Sequence, residues 1–307
     1  MRGAALTMGA VPRVVLIVNP YSSGVTRPQV EQVESALRKL VDVEHRQTER
    51  RGHATEIAAS AADSADAIVV YGGDGTYNEA VNGAAGRVPF GFVPGGGASV
   101  FPRALGLSRD PVSAAVEIAG ALKEGRTRSI ALGSVNGRRF LFSAGIGLDG
   151  EAVRRIDGRG RSADGRRASN LVFGLTVARS LLEQGLRVEP QLEVEGHGRA
   201  AFVFVANGHP YTYAGRVPLT MLREAEFEQG LGFVAPRKVS PRTAPRILFH
   251  MLRGTTSTDP HLLAGYDLDA LTVRCDVALP LQADGEDLGD VTEASFAAHR
   301  NALTVLV

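Results

Sequence analysis

Residues 67–80 read AIVVYGGDGTYNEA, and this stretch decides the fold. The run Ala67–Tyr71 is almost wholly apolar, which is typical of a strand in a parallel sheet that is covered on both faces. Three glycines follow within four residues; they permit positive φ angles and a close approach of the backbone to a ligand. A helix over residues 77–85 would direct its first amides at an anion. We therefore predict a phosphate-binding loop, with a tight turn capped by an Asp or Thr side chain as the alternative.

Two further turns follow apolar runs in the same half of the chain. Asn19–Gly24 follows the first run, and Pro94–Ser99 follows the fourth. Because the carboxyl ends of parallel strands meet at one edge of a sheet, we expect all three loops to lie where ligands bind. Asp74 would repel a bare phosphate, which favours Mg²⁺ bridging it to a nucleotide.

Residues 11–128 alternate short apolar runs with helical patterns, and they are predicted to form a doubly wound α/β nucleotide-binding domain. The predicted strands are Val14–Val18, Val43–Thr48, Ala67–Tyr71 and Phe90–Val93. The predicted helices are Pro28–Leu40, Ala54–Ala62, Tyr77–Ala85 and Val112–Glu124.

Residues 129–307 have a different pattern, which predicts a mainly antiparallel β-sandwich domain. The dipeptide Asn136-Gly137 between two apolar runs indicates a hairpin of Ser129–Val135 with Arg138–Ser143. The other predicted strands are Val188–Val194, Ala200–Val205, Leu231–Ala235, Leu271–Cys275 and Leu303–Val307, and the two predicted helices are Ala168–Leu182 and Pro241–Leu252.

The segment from Arg154 to Ser169 carries six arginines against two aspartates, amid glycines. One interpretation is a solvated mobile loop. The other is a patch that attracts anionic lipid or a substrate phosphate, with about 1 kcal/mol for each basic residue near such a surface.

Composition excludes several classes of protein. The chain has 307 residues, enough for about two domains. Cys275 is the one cysteine, which excludes an internal disulfide framework and a cysteine-based zinc site. The net charge of +1 gives no indication of nucleic-acid binding. No apolar run approaches the ~20 residues of a membrane span, so a cytoplasmic protein is expected. Gly145–Gly150 matches G-x-G-x-x-G, but its surroundings do not favour a dinucleotide site.

The stretch from Thr48 to Gly83 closely resembles the diacylglycerol kinase catalytic family, which includes bacterial lipid kinases and sphingosine kinase-like enzymes. Its GGDGT core is shared with NAD kinases, whereas Asn78-Glu79 and the earlier Asn19-Pro20 favour the lipid branch. Supporting motifs lie in order along almost the whole chain: Ser23-Gly24, Pro94-Gly95-Gly96, Phe101 with Arg103–Gly106, Gly145–Asp149 and Asp284-Gly285-Glu286.

The resemblance implies a two-domain lipid kinase with ATP and Mg²⁺ as cofactors and ATP held between the domains. It places the general base at Glu286, with Asp284 as its neighbour or a metal partner; an ordinary hairpin turn is the alternative for Asp284-Gly285. The partners it implies are a lipid substrate, the inner face of a membrane in peripheral contact and a second copy in a homodimer. The residues it places at the nucleotide are Asn19, Pro20, Ser22, Ser23, Thr48, Gly72, Gly73, Asp74, Gly75, Thr76, Tyr77, Asn78, Gly96 and Gly97.

The chain departs from the family pattern in two places. Gly97, Ser99 and Val100 stand where the second glycine loop of the family has Thr, Asn and Asp. The structural metal segment, Asp-Asp-Gly in the family, is here Glu228-Gln229-Gly230, which leaves Glu226, Gln229 and the Leu231 carbonyl as the implied metal ligands. Glutamine offers no charge, so a hard cation would be bound more weakly. Both departures weaken the expectation of catalysis without affecting the fold.

Diacylglycerol is the expected substrate, and phosphatidic acid the expected product. Two alternatives remain open. One is a family member that binds nucleotide or lipid without turnover, and the other is an NAD kinase-like or other non-lipid kinase.

Overall fold

The computed structural model describes residues 11–97, 99–158, 179, 183, 185–209, 212–214, 217–256 and 259–307. The chain divides into two compact units. The first holds residues up to Gly96, then Leu105–Arg128 and Thr304–Val307. The second holds Gly97–Ala104 and Ser129–Leu303.

The first unit is built on a parallel sheet in the order β2-β1-β3-β4. Val305, near the end of the chain, pairs with Phe90 in the same parallel sense. The strands are β1 (Arg13–Val18), β2 (Asp42–Gln47), β3 (Ala67–Gly72) and β4 (Phe90–Pro94). The helices are α1 (Arg27–Arg38), α2 (His53–Ala61), α3 (Asp74–Ala84) and α5 (Pro111–Glu124).

Helices pack in two pairs in this unit: α1 with α5, and α2 with α3. In α1, the apolar residues Val30, Val33 and Leu37 recur at helical spacing and are buried. The start of α5 is fixed by Asp110, whose carboxylate accepts the Ser113 N–H at 2.8 Å. The doubly wound arrangement therefore follows from amphipathic helices that cover a sheet of buried strands.

The strand order creates a topological switch point between β1 and β3. The chain passes from β1 to β2 on one side, and then crosses to β3 and β4 on the other. Loops that leave the carboxyl ends of β1 and β3 consequently diverge, and the crevice between them is where ligands bind in open α/β sheets.

The second unit is mainly antiparallel. Its strands β5 (Thr127–Val135) and β6 (Arg138–Phe140) form the predicted hairpin, with φ of 48° at Asn136 and 84° at Gly137. Antiparallel pairs then connect strands in the order β14-β13-β10-β7-β15-β16. The bounds of these strands are β7 (Ser143–Ile146), β8 (Leu192–Val194), β9 (Gly198–Ala200), β10 (Val203–Ala206), β11 (Thr212–Ala214), β12 (Val217–Leu219), β13 (Leu231–Pro236), β14 (Leu262–Leu268), β15 (Ala270–Ala283) and β16 (Glu286–Leu306).

Three helices of the described chain belong to the second unit: α4 (Val100–Ala104), α6 (Leu148–Gly158) and α7 (Ala244–Arg253). The predicted helix over 241–252 begins later, at Ala244, because Ser240 and Thr243 exchange backbone and side-chain hydrogen bonds just before it. The predicted helix over 168–182 lies outside the described residues, apart from 179.

Other bounds predicted from the sequence were also wrong in detail. The helix after β3 begins at Asp74 and not at Tyr77, because Gly73 caps it with extended backbone, at φ −106° and ψ 174°. The loop therefore uses its glycines for close approach and not for positive φ. The short strands expected near 271–275 and 303–307 belong to strands of 14 and 21 residues.

The arginine-rich segment also begins differently from the expected loop. Arg154 and Arg155 lie in α6, and Arg154 pairs with Asp287 at 2.8 Å and with Asp290 at 2.7 Å. Residues 159–169 lie outside the described part of the chain. Within the described part, no helix is both long and apolar enough to span a bilayer.

Candidate functional site

The loops after β1 and β3 are joined by one side chain. Asn19 donates from Nδ2 to the Thr76 hydroxyl at 2.8 Å, and its backbone N–H donates to the Tyr71 carbonyl at 2.9 Å. Thr76 lies in the first turn of α3 and is 6% exposed. The two loops at the switch point are therefore held in a fixed relation to each other.

The loop after β4 joins them through backbone contacts. The Gly95 N–H donates to the Gly72 carbonyl at 2.7 Å, and the Gly24 N–H donates to the Gly95 carbonyl at 2.9 Å. A Cβ placed on Gly73 would lie 3.6 Å from the Gly96 Cα and 3.9 Å from the Ser22 Oγ. Gly73 thus lies where all three loops converge.

The site has the electrostatics of an anion cradle. The first turn of α3 presents backbone amides and the positive end of the helix dipole at this convergence. Hydroxyl groups of Ser22 and Thr76 lie beside it, and Asp74 opens the helix. Such a set of donors can hold phosphate oxygens, and a carboxylate at its rim suits a phosphate that arrives with a divalent cation.

The other residues predicted to contact nucleotide fall into three groups. Tyr77 is buried, with its hydroxyl 2.8 Å from the Gly72 and Val93 carbonyl oxygens, so it fixes β3 and β4. Thr48 and Asn78 are each 5% exposed. Pro20 and Ser23 are exposed on the first loop. The structure brings together Asn19, Ser22, Gly72, Gly73, Thr76 and Gly96, and it places Gly97 in the second unit.

The second unit carries the two carboxylates predicted to act in catalysis. Asp284 and Gly285 form the turn between β15 and β16 with φ of 47° and 75°, a two-residue hairpin of the type that needs positive φ twice. The Asp284 carboxylate accepts the backbone N–H groups of Leu141, Phe142 and Ser143 at 2.6, 2.9 and 3.1 Å. Asp284 therefore anchors the segment between β6 and β7.

Glu286 has a different environment. Its carboxylate accepts a hydrogen bond from Arg138 at 2.7 Å, and both side chains remain about one-third exposed. A carboxylate that is oriented by an arginine and still open to solvent can accept a proton from a substrate. Of the two predicted residues, Glu286 has the environment better suited to a base.

Sequence reasoning did not include Asp149 among the site residues. It lies in the first turn of α6, and a Cβ on Gly145 would be 2.3 Å from its Oδ2, which explains a glycine there. Gln282 donates from Nε2 to Asp149, and its Oε1 accepts the N–H of Gly285. Asp149 is thereby linked to the turn at Asp284 and Gly285. The motif Gly145–Asp149 was a signal for it, although its role depends on a glutamine 133 residues away.

Burial raises the pKa of the Asp149 carboxyl to about 6, against the opposite influence of the hydrogen bond from Gln282. The fold therefore favours the protonated form more than the unfolded chain does, whose pKa is about 3.9. This contribution to stability is fully present below the unfolded pKa and is lost as the pH rises through about 6.

The residues implied as metal ligands do not fit Mg²⁺. Glu226 is exposed and supplies the one carboxylate of the set. The Gln229 N–H donates to the Glu226 carbonyl at 3.0 Å and so closes a turn, and Leu231 pairs with Leu268 at the start of β13. Mg²⁺ binds through hard oxygens in near-octahedral geometry, usually with carboxylates. Among the described residues, no group of three or more His, Cys, Asp or Glu side chains is placed to hold a metal ion.

An arginine provides positive charge beside this turn. Asp267 accepts the Gly230 N–H at 2.8 Å, and Arg300 bonds to Asp267 at 2.8 Å and to Asp269 at 2.9 Å. The amide of Gly230 and then Arg300 hold the pKa of Asp267 below its ordinary value. The Arg300 guanidinium thus joins the end of β14 to β16 without a metal ion.

The comparisons with known proteins concern the family and the fold. Residues 13–135 match the family model described as the diacylglycerol kinase catalytic domain. The resemblance to that family is confirmed. The diacylglycerol kinase of Bacillus subtilis (strain 168) is 27% identical over 245 residues, which cover 76% of this chain and 78% of that relative.

Solved structures share the fold. A diacylglycerol kinase from Bacillus anthracis str. Sterne matches with a TM-score of 0.70 at 19% identity, over 96% of each chain. An NAD kinase from Archaeoglobus fulgidus, solved with ATP, matches with a TM-score of 0.52 at 14% identity, over 96% of this chain and 93% of that chain. The predicted fold class, an α/β unit followed by a mainly antiparallel one, is confirmed.

Asp149→Asn is expected to remove a pH-dependent component of stability. Between about pH 4 and pH 6 the free energy of unfolding of the wild type, relative to the variant, should fall with rising pH by at most about 1.4 kcal/mol per pH unit. Urea unfolding at three pH values in this window measures the difference.

Asp287→Asn is the matched control for this series. Hydrogen bonding from Arg154 holds the pKa of Asp287 below its ordinary value, so its contribution is present above the unfolded pKa and is lost as the pH falls. Between pH 4 and pH 6, above the unfolded pKa, the contribution of Asp287 stays nearly constant, so the difference between Asp287→Asn and the wild type should not change with pH, whereas the difference for Asp149→Asn should. Parallel trends would contradict the assignment for Asp149.

Arg300→Gln is expected to lower the melting temperature equally in EDTA and in MgCl₂, because it removes the link between Asp267 and Asp269. Arg274→Gln, which removes a surface pair with Glu293, is the control and should have a smaller effect. A rise in the melting temperature of nucleotide-free wild type on adding Mg²⁺ would show that a cation does bind and stabilise the fold.

Proposed function

We propose that this protein is an ATP-dependent lipid kinase that transfers the γ-phosphoryl group to a lipid hydroxyl, with diacylglycerol as the substrate. The observation that carries the proposal is the Asn19–Thr76 hydrogen bond, which joins two loops at the switch point in front of α3. The family match over residues 13–135 covers these loops and supports a kinase.

The first unit would bind the triphosphate of ATP. The amides at the start of α3 and the hydroxyls of Ser22 and Thr76 suit phosphate oxygens, and Gly73 leaves room for them. ATP would enter as its magnesium complex, in which the cation neutralises phosphate charge beside Asp74.

In the second unit, Glu286 would act as the general base. Its carboxylate would take the proton of the lipid hydroxyl while the hydroxyl oxygen bonds to the γ-phosphorus and the bond to the β-phosphate oxygen breaks, releasing ADP. Arg138 would orient Glu286, and Asp284 would hold the turn in place through its three backbone hydrogen bonds.

The proposal is tested by following radiolabelled phosphate from ATP into a panel of lipids in detergent micelles, with Mg²⁺ present. Labelled phosphatidic acid is the expected product. Labelled NADP from NAD without lipid would favour the NAD kinase alternative, and ATP binding without any product would favour a family member that does not catalyse transfer.

Gly73→Ala is expected to fold normally and to weaken ATP binding by about tenfold or more. The new methyl group makes ordinary contacts with Gly96 and Ser22, at 3.6 and 3.9 Å, but it fills the space where phosphate would lie. Calorimetric titration measures the affinity, and thermal melting checks the fold. Gly120→Ala on α5 is the control, because its Cβ meets no atom closer than 3.9 Å. Equal affinity in all three proteins would remove Gly73 from the site.

Glu286→Gln is expected to keep ATP affinity and to lower the rate of transfer by about 10²-fold or more, because it removes proton abstraction and little else. The control is Glu293→Gln on the same strand, a half-exposed carboxylate that pairs with Arg274. If Glu286→Gln transfers phosphate as fast as Glu293→Gln does, Glu286 is not the base.

A further inference from the structure

Helix α7 presents a basic and aromatic face to solvent. Arg246, Phe249 and Arg253 follow one another at intervals of three and four residues, which places them on one side of the helix, and the exposed Arg242 lies in the turn just before it. The Phe249 side chain is 52% exposed, and that of Arg246 is 54% exposed. We refer to these four residues as the α7 face; neither ATP binding nor proton abstraction uses any of them.

The opposite side of the helix explains why this face points outward. Ile247 is 4% exposed and belongs to a buried cluster with Leu222, Val234 and Leu262, and Ala244 packs against the same cluster. The helix is therefore fixed on the second unit by its apolar side. Phe249 is exposed and does not belong to the apolar side that packs on the second unit.

The stretch of chain that contains α7 carries formal charge of one sign. Residues 237–258 contain five lysines and arginines and no aspartate or glutamate, in a chain whose totals are 34 basic and 33 acidic residues. Arg246 bonds to Asp259 at 2.6 Å, but the Asp259 side chain is fully buried behind it, so its carboxylate does not face outward. The guanidinium of Arg253 lies 5.1 Å from the centre of the Phe249 ring.

An exposed aromatic ring among arginines matches the surface of an anionic bilayer. Helices that lie in the membrane interface place an apolar side chain among the acyl chains while cations contact anionic headgroups. A second argument rests on the proposed function. Diacylglycerol resides in the bilayer, so a kinase that acts on it has to contact the membrane. We propose that the α7 face docks this protein on anionic membranes.

The test is co-sedimentation of the full chain with vesicles of phosphatidylcholine alone and with vesicles of two parts phosphatidylcholine to one part phosphatidylglycerol. The wild type should co-sediment with the anionic vesicles, and more weakly as salt is added. It should not co-sediment with the neutral vesicles. Arg242→Gln with Arg253→Gln should weaken this binding by about 30-fold, since each basic residue contributes about 1 kcal/mol at such a surface. Arg246 is left unchanged because it pairs with the buried Asp259, so its loss would also change the interior of the second unit.

Phe249→Ser tests the aromatic anchor separately and should also weaken binding to the anionic vesicles. The matched controls are Arg27→Gln with Arg187→Gln, two exposed arginines elsewhere, and Val277→Ser, whose side chain is 58% exposed on β15. Both controls should bind as the wild type does. Thermal melting confirms that each variant is folded.

Two results would overturn the docking proposal. One is vesicle binding by the α7 variants that equals that of the wild type, which would place membrane contact elsewhere. The other is wild-type protein that does not co-sediment with anionic vesicles but binds duplex DNA through the same arginines. That result would identify a nucleic-acid surface.

A separate experiment tests the proposed function. Phosphorylation of a short-chain diacylglycerol in non-ionic detergent micelles should be the same for the wild type and the α7 variants, because no anionic surface is present. If the wild type yields no lipid product there, the kinase proposal fails, and the vesicle experiment still decides whether α7 binds membranes.

Discussion

The hydrogen bond from Asn19 to Thr76 is the interaction on which the arrangement of the candidate site in the first unit depends. Neighbouring parallel strands bring their carboxyl ends together, but at the switch point the two chains leave in opposite directions, so nothing in the sheet itself fixes their loops. One amide side chain makes that connection, at 2.8 Å and beside a buried threonine. The backbone bonds from Gly95 to Gly72 and from Gly24 to Gly95 then add the third loop. Since a buried donor or acceptor is costly to leave unpaired, each of these bonds resists opening.

The second unit holds the turn at Asp284 and Gly285 by the same physical means. Asp284 accepts three consecutive amides of the segment 141–143, and the buried Asn207 donates to the carbonyls of Ala131 and Leu141 at 2.9 and 3.1 Å. A polar side chain here takes the place of a regular strand pair at a point where the backbone has to turn. Asp284 thus forms a tight turn and anchors the segment 141–143 with the same side chain and backbone. Its carboxylate is occupied by backbone amides, whereas that of Glu286 is about one-third exposed beside Arg138.

The local pattern was sufficient to predict the first unit. Apolar strands, glycine loops and amphipathic helices alternate clearly, and the error at the start of α3 was three residues, because a glycine in extended conformation served as the cap. The second unit was harder to predict. In β15 and β16 much of one face is exposed and polar, and Pro280 lies at a register shift, so the hydrophobic alternation that marks a strand is interrupted. The links from Gln282 to Asp149 and from Arg300 to Asp267 join residues far apart in the chain, and no spacing rule predicts them.

Gly97, Ser99 and Val100, at which the chain departs from the family pattern, belong to the second unit. Val100 and Phe101 are buried there, and the Phe101 ring packs edge-on against Phe142 and Phe227, with centroids 5.4 and 5.7 Å apart. Phe142 is one of the residues whose amides Asp284 accepts, so this short excursion of the chain packs directly on the anchored segment. A carboxylate at the buried position of Val100 would have to be desolvated, which is unfavourable without a partner. The apolar residue therefore favours packing over polar contact at this point, and hydroxyl donors for a phosphate would come from Ser22 and Thr76 of the first unit. The valine at position 100 therefore suits the interior of the second unit, where a charged side chain would be costly.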